Sequence, residues 1–279
     1  MKKPVIVISS HVVRGSVGNR AAAFALEMLG HPVWAVPTII LPYHPGHGTA
    51  TRIVPDQNQF EDLLSDLADS KWVGELGGVL TGYMASAAQA ESAGRLVARL
   101  KAKNPDLVHL CDPVMGDDGG LYVPKENAAA VRDHLAKKAD ILTPNRFELE
   151  WLSGETISDA SDARRAAANL APATVLATSI PAMMRGNIAN LLVHGNQAML
   201  AEHREVENPP KGPGDLVAAL FLSRLLDGEP QDKALQASTA SVFELVAKAA
   251  KRGSDELMLE TDAISIQRPM AMVSTRKLV

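Results

Sequence analysis

The segment Lys211-Gly212-Pro213-Gly214-Asp215 runs directly into the apolar stretch Leu216-Val217-Ala218-Ala219-Leu220-Phe221-Leu222. A glycine turn that opens a helix aims backbone N–H groups and the positive end of the helix dipole at an anion. An aspartate beside such a site is a poor phosphate ligand but a sensible general base, able to take the proton of a hydroxyl as that hydroxyl attacks a phosphoryl group. Aspartate is also a favoured helix cap, so Asp215 taken by itself leaves catalyst and cap both open.

Two more carboxylates fall where strands should end. Asp112 follows the apolar run 107–111, with Pro113 keeping the chain extended behind it, and Glu148 lies just past Thr143-Pro144-Asn145. Carboxylates at the ends of separate strands suit Mg²⁺, which takes few protein ligands and keeps its waters and substrate phosphates. A lone acidic residue is usually solvated surface, so the joint placement carries the argument. Between them, Val114-Met115-Gly116-Asp117-Asp118-Gly119-Gly120 is too glycine-rich and acidic for regular structure and reads as a flap over a site; it lacks the ligand order of an EF-hand. His44 and His47 are zinc-ligand types in a Pro/Gly loop, but with no third ligand nearby the loop is read as a substrate cover. G-x-x-x-x-G-K-[ST], a complete G-x-G-x-x-G and G-x-S-x-G are all missing, which weighs against P-loop NTPases, dinucleotide oxidoreductases and serine hydrolases.

For these groups to meet, strands must deliver them to one sheet edge. Residues 5–9 read as a buried strand, with Asn19 placed to cap a helix through Leu29 and Gly30 as its left-handed terminator. Residues 33–41 form a second β-rich run, leading into the loop 42–48. Phe60, Leu63, Leu64 and Leu67 share a helix face, and residues 77–82 form a short strand. Ser86 and Gln89 have capping-box spacing before a helix carrying Leu96, Val97 and Leu100. A strand at 107–111, a helix at 127–138 and strands at 140–142 and 175–177 follow. Gly195-Asn196 between two apolar runs predicts a hairpin, hence an antiparallel edge near 188–206. Helices over 216–226, ended by Gly228, and over 233–251 complete the chain. This alternation predicts a mostly parallel sheet with helices on both faces. No repeat or linker-like break appears, so one domain over residues 1–279 is expected. In such a sheet ligands bind beyond the strands' carboxyl ends, which here hold Ser9-Ser10-His11, Gly82-Tyr83, Asp112-Pro113, Thr143-Pro144-Asn145 and Thr178-Ser179.

The 279 residues are 46% apolar but only 4% aromatic, so the core is built from aliphatic residues and few rings remain for stacking on bases. With 28 Lys and Arg against 32 Asp and Glu, the net charge of −4 offers no basic footprint for nucleic acid or an anionic membrane. One cysteine, Cys111, excludes an internal disulfide and a cysteine metal cluster, and fits a reducing compartment. The apolar run 5–8 near the N-terminus is too short for a signal-peptide core, and no stretch reaches membrane length. A soluble, cytoplasmic protein is expected.

In their order along the chain these motifs resemble the ribokinase-like superfamily and, within it, the pyridoxal kinases. The superfamily mark is Gly212-Pro213-Gly214-Asp215. The pyridoxal kinase marks are Ser10-His11-Val12-Val13 with Gly15 and Gly18-Asn19, then Gly82-Tyr83, Cys111-Asp112-Pro113-Val114-Met115-Gly116, and Thr143-Pro144-Asn145 with Glu148-Leu149-Glu150. The resemblance implies a three-layer α/β/α fold, a homodimer, and ATP-dependent phosphorylation of the 5′-hydroxymethyl group of pyridoxal, with Mg²⁺ and, as a further candidate, K⁺. By motif, Asp215 becomes the base for the 5′-hydroxyl, and Gly212, Pro213 and Gly214 the anion hole. Asp112 and Glu148 act around Mg²⁺ and the triphosphate, Thr143 and Thr178 stand near the nucleotide, and Val206 near adenine. Ser10 bonds the pyridine ring, which His44, Gly46 and Tyr83 enclose.

Two residues depart from the pattern. Pro213 has no N–H to donate where relatives often have Val or Thr. His44-Pro45-Gly46 replaces the His-Thr-Gly or His-Thr-Gln of relatives, removing a hydroxyl contact to the vitamer. The alternatives are a hydroxymethylpyrimidine kinase, whose usual Gly/Ser/Asp-rich first loop is not found in Ser10-His11-Val12-Val13, and a non-catalytic pyridoxal phosphate binder, which would need no Asp215 base.

Overall fold

β1 (Val5–Val12) is apolar on both faces because it runs inside a sheet covered on both sides. Ile6 and Ile8 enter one core, Val5 and Val7 the other. The computed structural model describes residues 1–278. After β1 the chain forms α1 (Asn19–Met28), β2 (Val33–Leu41), α2 (Gln57–Asp69), β3 (Gly78–Thr81), α3 (Ala87–Lys103) and β4 (Val108–Cys111). A small hairpin, β5 (Gly116–Asp117) and β6 (Gly120–Leu121), precedes α4 (Lys125–Ala130), β7 (Ile141–Leu142), α5 (Arg146–Ser153) and α6 (Ala160–Ala168). The last part comprises β8 (Thr174–Pro181), β9 (Asn187–His194), β10 (Gln197–Arg204), α7 (Pro213–Leu226), α8 (Gln231–Lys251), α9 (Ile264–Gln267) and β11 (Ser274–Leu278).

Nine strands form one sheet in the order β11-β10-β9-β8-β7-β4-β3-β1-β2. Pairing is parallel from β2 across to β8 and antiparallel from β8 out to β11. α2 to α6 pack on one face around Phe60, Leu100, Leu135 and Leu149, while α1, α7, α8 and α9 cover the other around Leu26, Phe221, Leu235 and Ile266. This is the three-layer α/β/α arrangement, mostly parallel with an antiparallel edge. α7 is buried at every position from Leu216 to Arg224, which explains its apolar sequence on all sides. From β1 the chain steps outward to β2 and then crosses to β3 on the other side, so a switch point lies between β1 and β3, where ligands of such sheets bind.

Local details differ from the sequence expectations. Gly18, at φ 56, precedes the first helix, and Asn19 is its first residue rather than its cap. Buried between strands, the Asn19 side chain instead donates to the carbonyls of Ser9 (2.8 Å) and Val36 (3.1 Å), two acceptors that a capping role would leave unused. Ser86 does cap α3, but Gln89 reaches the N–H of Ala85 instead of closing a box on Ser86. The expected helix at 127–138 is α4 followed by a π turn (Val131–Leu135) and a 3₁₀ turn (Ala136–Lys138). There the His134 carbonyl comes within 2.7 Å of where a Cβ on Gly94 of α3 would stand, so the two backbones pack directly. α5, α6 and β11 were not expected. The cue for α5 was present in Asn145 and Glu148, which form a reciprocal capping box.

Candidate active site

Gly212, at φ 103, caps α7, Pro213 takes the first helical position, and Asp215 lies in the first turn. A Cβ on Gly212 would stand 2.3 Å from the Ser16 carbonyl oxygen, so only glycine lets this turn close on the loop 14–18. Asp215 is partly buried. Burial pushes its carboxyl up to about 6, against hydrogen bonds from the backbone N–H groups of Gly18 and of Asp215 itself. A carboxylate in that range is ionised at neutral pH yet far more basic than a surface aspartate. A Cβ on Gly214 would meet nothing within 4 Å, so the turn faces open space.

On the nucleotide side of the expected site, Asp112 directly follows β4, is 6% exposed and accepts the Thr143 hydroxyl at 3.2 Å. Burial raises its carboxyl well above the usual range, Glu148 and Asp215 raise it further, and Thr143 opposes them. Glu148 Oε1 accepts the Met115 N–H at 2.8 Å and Oε2 the Asn145 N–H at 2.9 Å. Burial nevertheless pushes Glu148 up to about 7. With both oxygens engaged by amides, Glu148 clamps the start of α5 to the segment leading into β5.

Sequence reasoning missed two members of this cluster. Tyr122 is 54% exposed, yet desolvation of its phenol and then Glu148, Asp112, Asp215 and Asp117 push its proton affinity up. Asp117 adds to the rise at Glu148. The pairing of β5 with β6 folds both residues back over the site, and Gly119-Gly120 was the available sign of that turn. Hard oxygen donors that raise one another's affinity for protons fit a divalent cation. Among the described residues no group of three or more His, Cys, Asp or Glu is arranged to hold an ion unaided. The set therefore fits Mg²⁺ that brings its own waters and phosphates.

On the other side, Ser10 Oγ lies 2.5 Å from where a Cβ on Gly18 would stand, so β1 packs against the loop that serves Asp215. Tyr83, just past β3, is fixed by its N–H to Ser9 Oγ (3.1 Å), its carbonyl from Thr38 Oγ1 (2.8 Å) and its hydroxyl from Arg52 (3.0 Å). His44 Nδ1 accepts the Gly46 N–H at 3.0 Å, which leaves Nε2 as the protonated nitrogen of the neutral ring. Burial, then Lys211 and His47, lower its proton affinity. A Cβ on Gly46 would lie 3.5 Å from Lys211 Cε, so this loop reaches the glycine turn. His47 turns away toward Glu256 and Asp255 and forms no ligand pair with His44.

Thr178 and Val206 lie on the β8 to β10 side of the sheet. Thr178 lies inside a longer β8 than expected, at an irregularity beside Ser179 (φ 57), and bridges to Asn145. Val206 follows β10 and packs on the core shared by α7 and α8. Cys111 is fully buried with its thiol pushed up by burial, which removes it as a nucleophile.

Residues 75–259 match the family model described as phosphomethylpyrimidine kinase. The chain is 34% identical to the pyridoxal kinase PdxY of Rubrobacter xylanophilus, across 98% of this chain and 97% of that protein. The chain belongs to the pyridoxal kinase family. A pyridoxine/pyridoxal/pyridoxamine kinase of Bordetella bronchiseptica is 37% identical across 91% of this chain and 92% of its own. The fold matches pyridoxal kinase from Leishmania donovani in complex with ADP and pyridoxamine at a TM-score of 0.93 and 29% identity, covering 99% of this chain and all of that one. Among the described residues, no helix is long and apolar enough to cross a membrane.

Proposed function

We propose that this chain transfers the γ-phosphoryl group of ATP to the 5′-hydroxymethyl oxygen of pyridoxal, giving pyridoxal 5′-phosphate and ADP, with Asp215 as general base. The observation that carries the reading is a partly buried aspartate, pushed up to about 6, in the first turn of a helix and next to Gly214, which faces open space. Asp215 takes the hydroxyl proton as the oxygen bonds to phosphorus. The α7 amides, framed by Gly212 and Gly214, meet charge on the phosphoryl oxygens as the bond to ADP breaks. Pro213 contributes shape to this anion hole but no donor.

Asp112, Thr143, Glu148, Thr178 and Val206 form the ATP side. Mg²⁺ would be held near Asp112 and Glu148 and would neutralise triphosphate charge, with K⁺ as a further candidate cation. Ser10 bonds the pyridine ring, Tyr83 walls it, and His44 and Gly46 close over it. We further propose a single catalytic domain acting as a homodimer in the cytoplasm.

The matched family model supports a second reading, a hydroxymethyl-pyrimidine as acceptor. A coupled ADP-release assay comparing pyridoxal, pyridoxine, pyridoxamine and hydroxymethylpyrimidine separates the two. The B6 vitamers are expected to drive ADP release. Release with hydroxymethylpyrimidine alone would overturn the proposal in favour of the second reading, and no ATP consumption with any acceptor would point to a binding protein.

A further inference from the structure

Glu256 lies between α8 and α9, remote in sequence from every residue assigned above, yet two loops of the site meet on its carboxylate. It is 5% exposed. Its backbone pairs in parallel with Lys211, and the Lys211 N–H donates to the Asp255 carbonyl at 3.2 Å, which fixes it to the start of the glycine turn. Oε2 accepts the Ser16 N–H at 2.8 Å. His47 Nε2 meets Oε1 at 2.9 Å, and Arg14 Nη1 lies 3.4 Å from the same oxygen.

The loop 14–18 is shaped to this carboxylate. Gly15 has φ +106, and a Cβ there would stand 1.7 Å from Glu256 Oε2, so the backbone passes directly over the carboxylate. Ser16 is held from both ends, its N–H by Glu256 and its carbonyl oxygen against Gly212. Two residues on, the Gly18 backbone N–H lowers the proton affinity of Asp215. On the other loop, the His47 ring is held between Glu256 and Asp255, and this loop carries His44 and Gly46 to Lys211.

We propose that Glu256 is a positioning residue for phosphoryl transfer: one buried carboxylate sets both the loop that presents the Gly18 amide to Asp215 and the loop that carries His44 and Gly46 over the vitamer. The inference rests on the pyridoxal kinase reading. It assigns Glu256 no contact with substrate; its effect passes through Ser16 and His47.

The test compares Glu256→Ala, Glu256→Gln and His47→Gln with the wild type by amide hydrogen exchange and by steady-state kinetics. In Glu256→Ala, exchange should quicken in residues 14–18 and 44–48 while α7 and α8 stay protected. The KM for pyridoxal should rise about tenfold and kcat should fall, with the KM for ATP within about twofold, because misplaced positioning groups cost roughly one to two orders of magnitude. Glu256→Gln keeps an acceptor for Ser16 and should restore protection of 14–18 and most of kcat. His47→Gln should loosen only 44–48 and raise the pyridoxal KM. Unchanged exchange in both loops of folded Glu256→Ala, or equal rises in both KM values, would overturn the proposal. Should Glu256→Ala fail to fold, an unaltered 44–48 exchange and pyridoxal KM in His47→Gln would overturn it instead. A wild type that transfers no phosphate to pyridoxal would defeat the functional reading, and the exchange pattern would still decide whether Glu256 anchors the loops.

Discussion

Glu148 Oε1 accepts the Met115 N–H at 2.8 Å, joining the first turn of α5 to the segment after β4 through a carboxylate only 2% exposed. Burial holds this group at about 7, well above an ordinary glutamate. Its folded-state proton affinity exceeds that of the unfolded chain, so its contribution to stability is fully present at low pH and is lost as pH rises through about 7. Buried His109, held down to about 4, acts in the opposite sense as pH falls through the ordinary histidine range. Comparing the wild type with Glu148→Gln isolates the carboxylate. Between about pH 7.5 and about pH 5.5, denaturant unfolding should show the wild type gaining stability relative to the variant. A gap that moves the other way would contradict the assigned burial effect.

The raised Asp215 has a kinetic counterpart. A base held at about 6 is lost by protonation on the acid side, so kcat/KM for pyridoxal should fall as pH drops through about 6. Bound ATP adds negative charge nearby, so the corresponding limb of kcat should lie at higher pH. Profiles flat from pH 7 down to about 5 would remove Asp215 from the rate-determining proton transfer.

Gly212 is under the tightest steric limit in the turn. Gly212→Ala combines a left-handed φ with a Cβ 2.3 Å from the Ser16 carbonyl oxygen. It should cost about 1–3 kcal/mol of stability by thermal or denaturant unfolding, together with a drop in kcat. Loss of stability with kcat intact would separate the turn from the chemistry.

Pro213 invites the reverse experiment. Pro213→Ala adds one N–H at the first helical position, where the proposed anion hole lacks a donor. It should raise kcat severalfold while lowering stability by about 0.5–1 kcal/mol, since proline at that position restricts the unfolded chain and is pre-set for the helix. An unchanged or lower kcat would mean that this amide does not face the transferred group.

Much of this is legible in the amino-acid sequence alone. The alternation of β2, α2, β3, α3 and β4 is written in apolar runs whose periods differ, and Gly212-Pro213-Gly214-Asp215 marks its own turn. What stayed hidden depends on distant contacts. β11 is exposed at most positions, so it carries no apolar signature and exists by pairing with β10. α6 is short, with a polar face and a buried stripe of alanines. Asn19 looked like a cap because only the folded sheet supplies the two carbonyls it bonds. Tyr122 and Asp117 join the site through a hairpin of four paired residues, and Glu256 through loops more than 200 residues away in sequence.

Single-turnover phosphoryl transfer from ATP to pyridoxal in Asp215→Asn, with binding of both substrates measured on the same protein, tests the central claim most directly. The isostere keeps the turn but removes the base, so both substrates should bind within a fewfold of the wild type while the transfer rate falls by about two to four orders of magnitude. Transfer at a near-normal rate in Asp215→Asn would contradict the account.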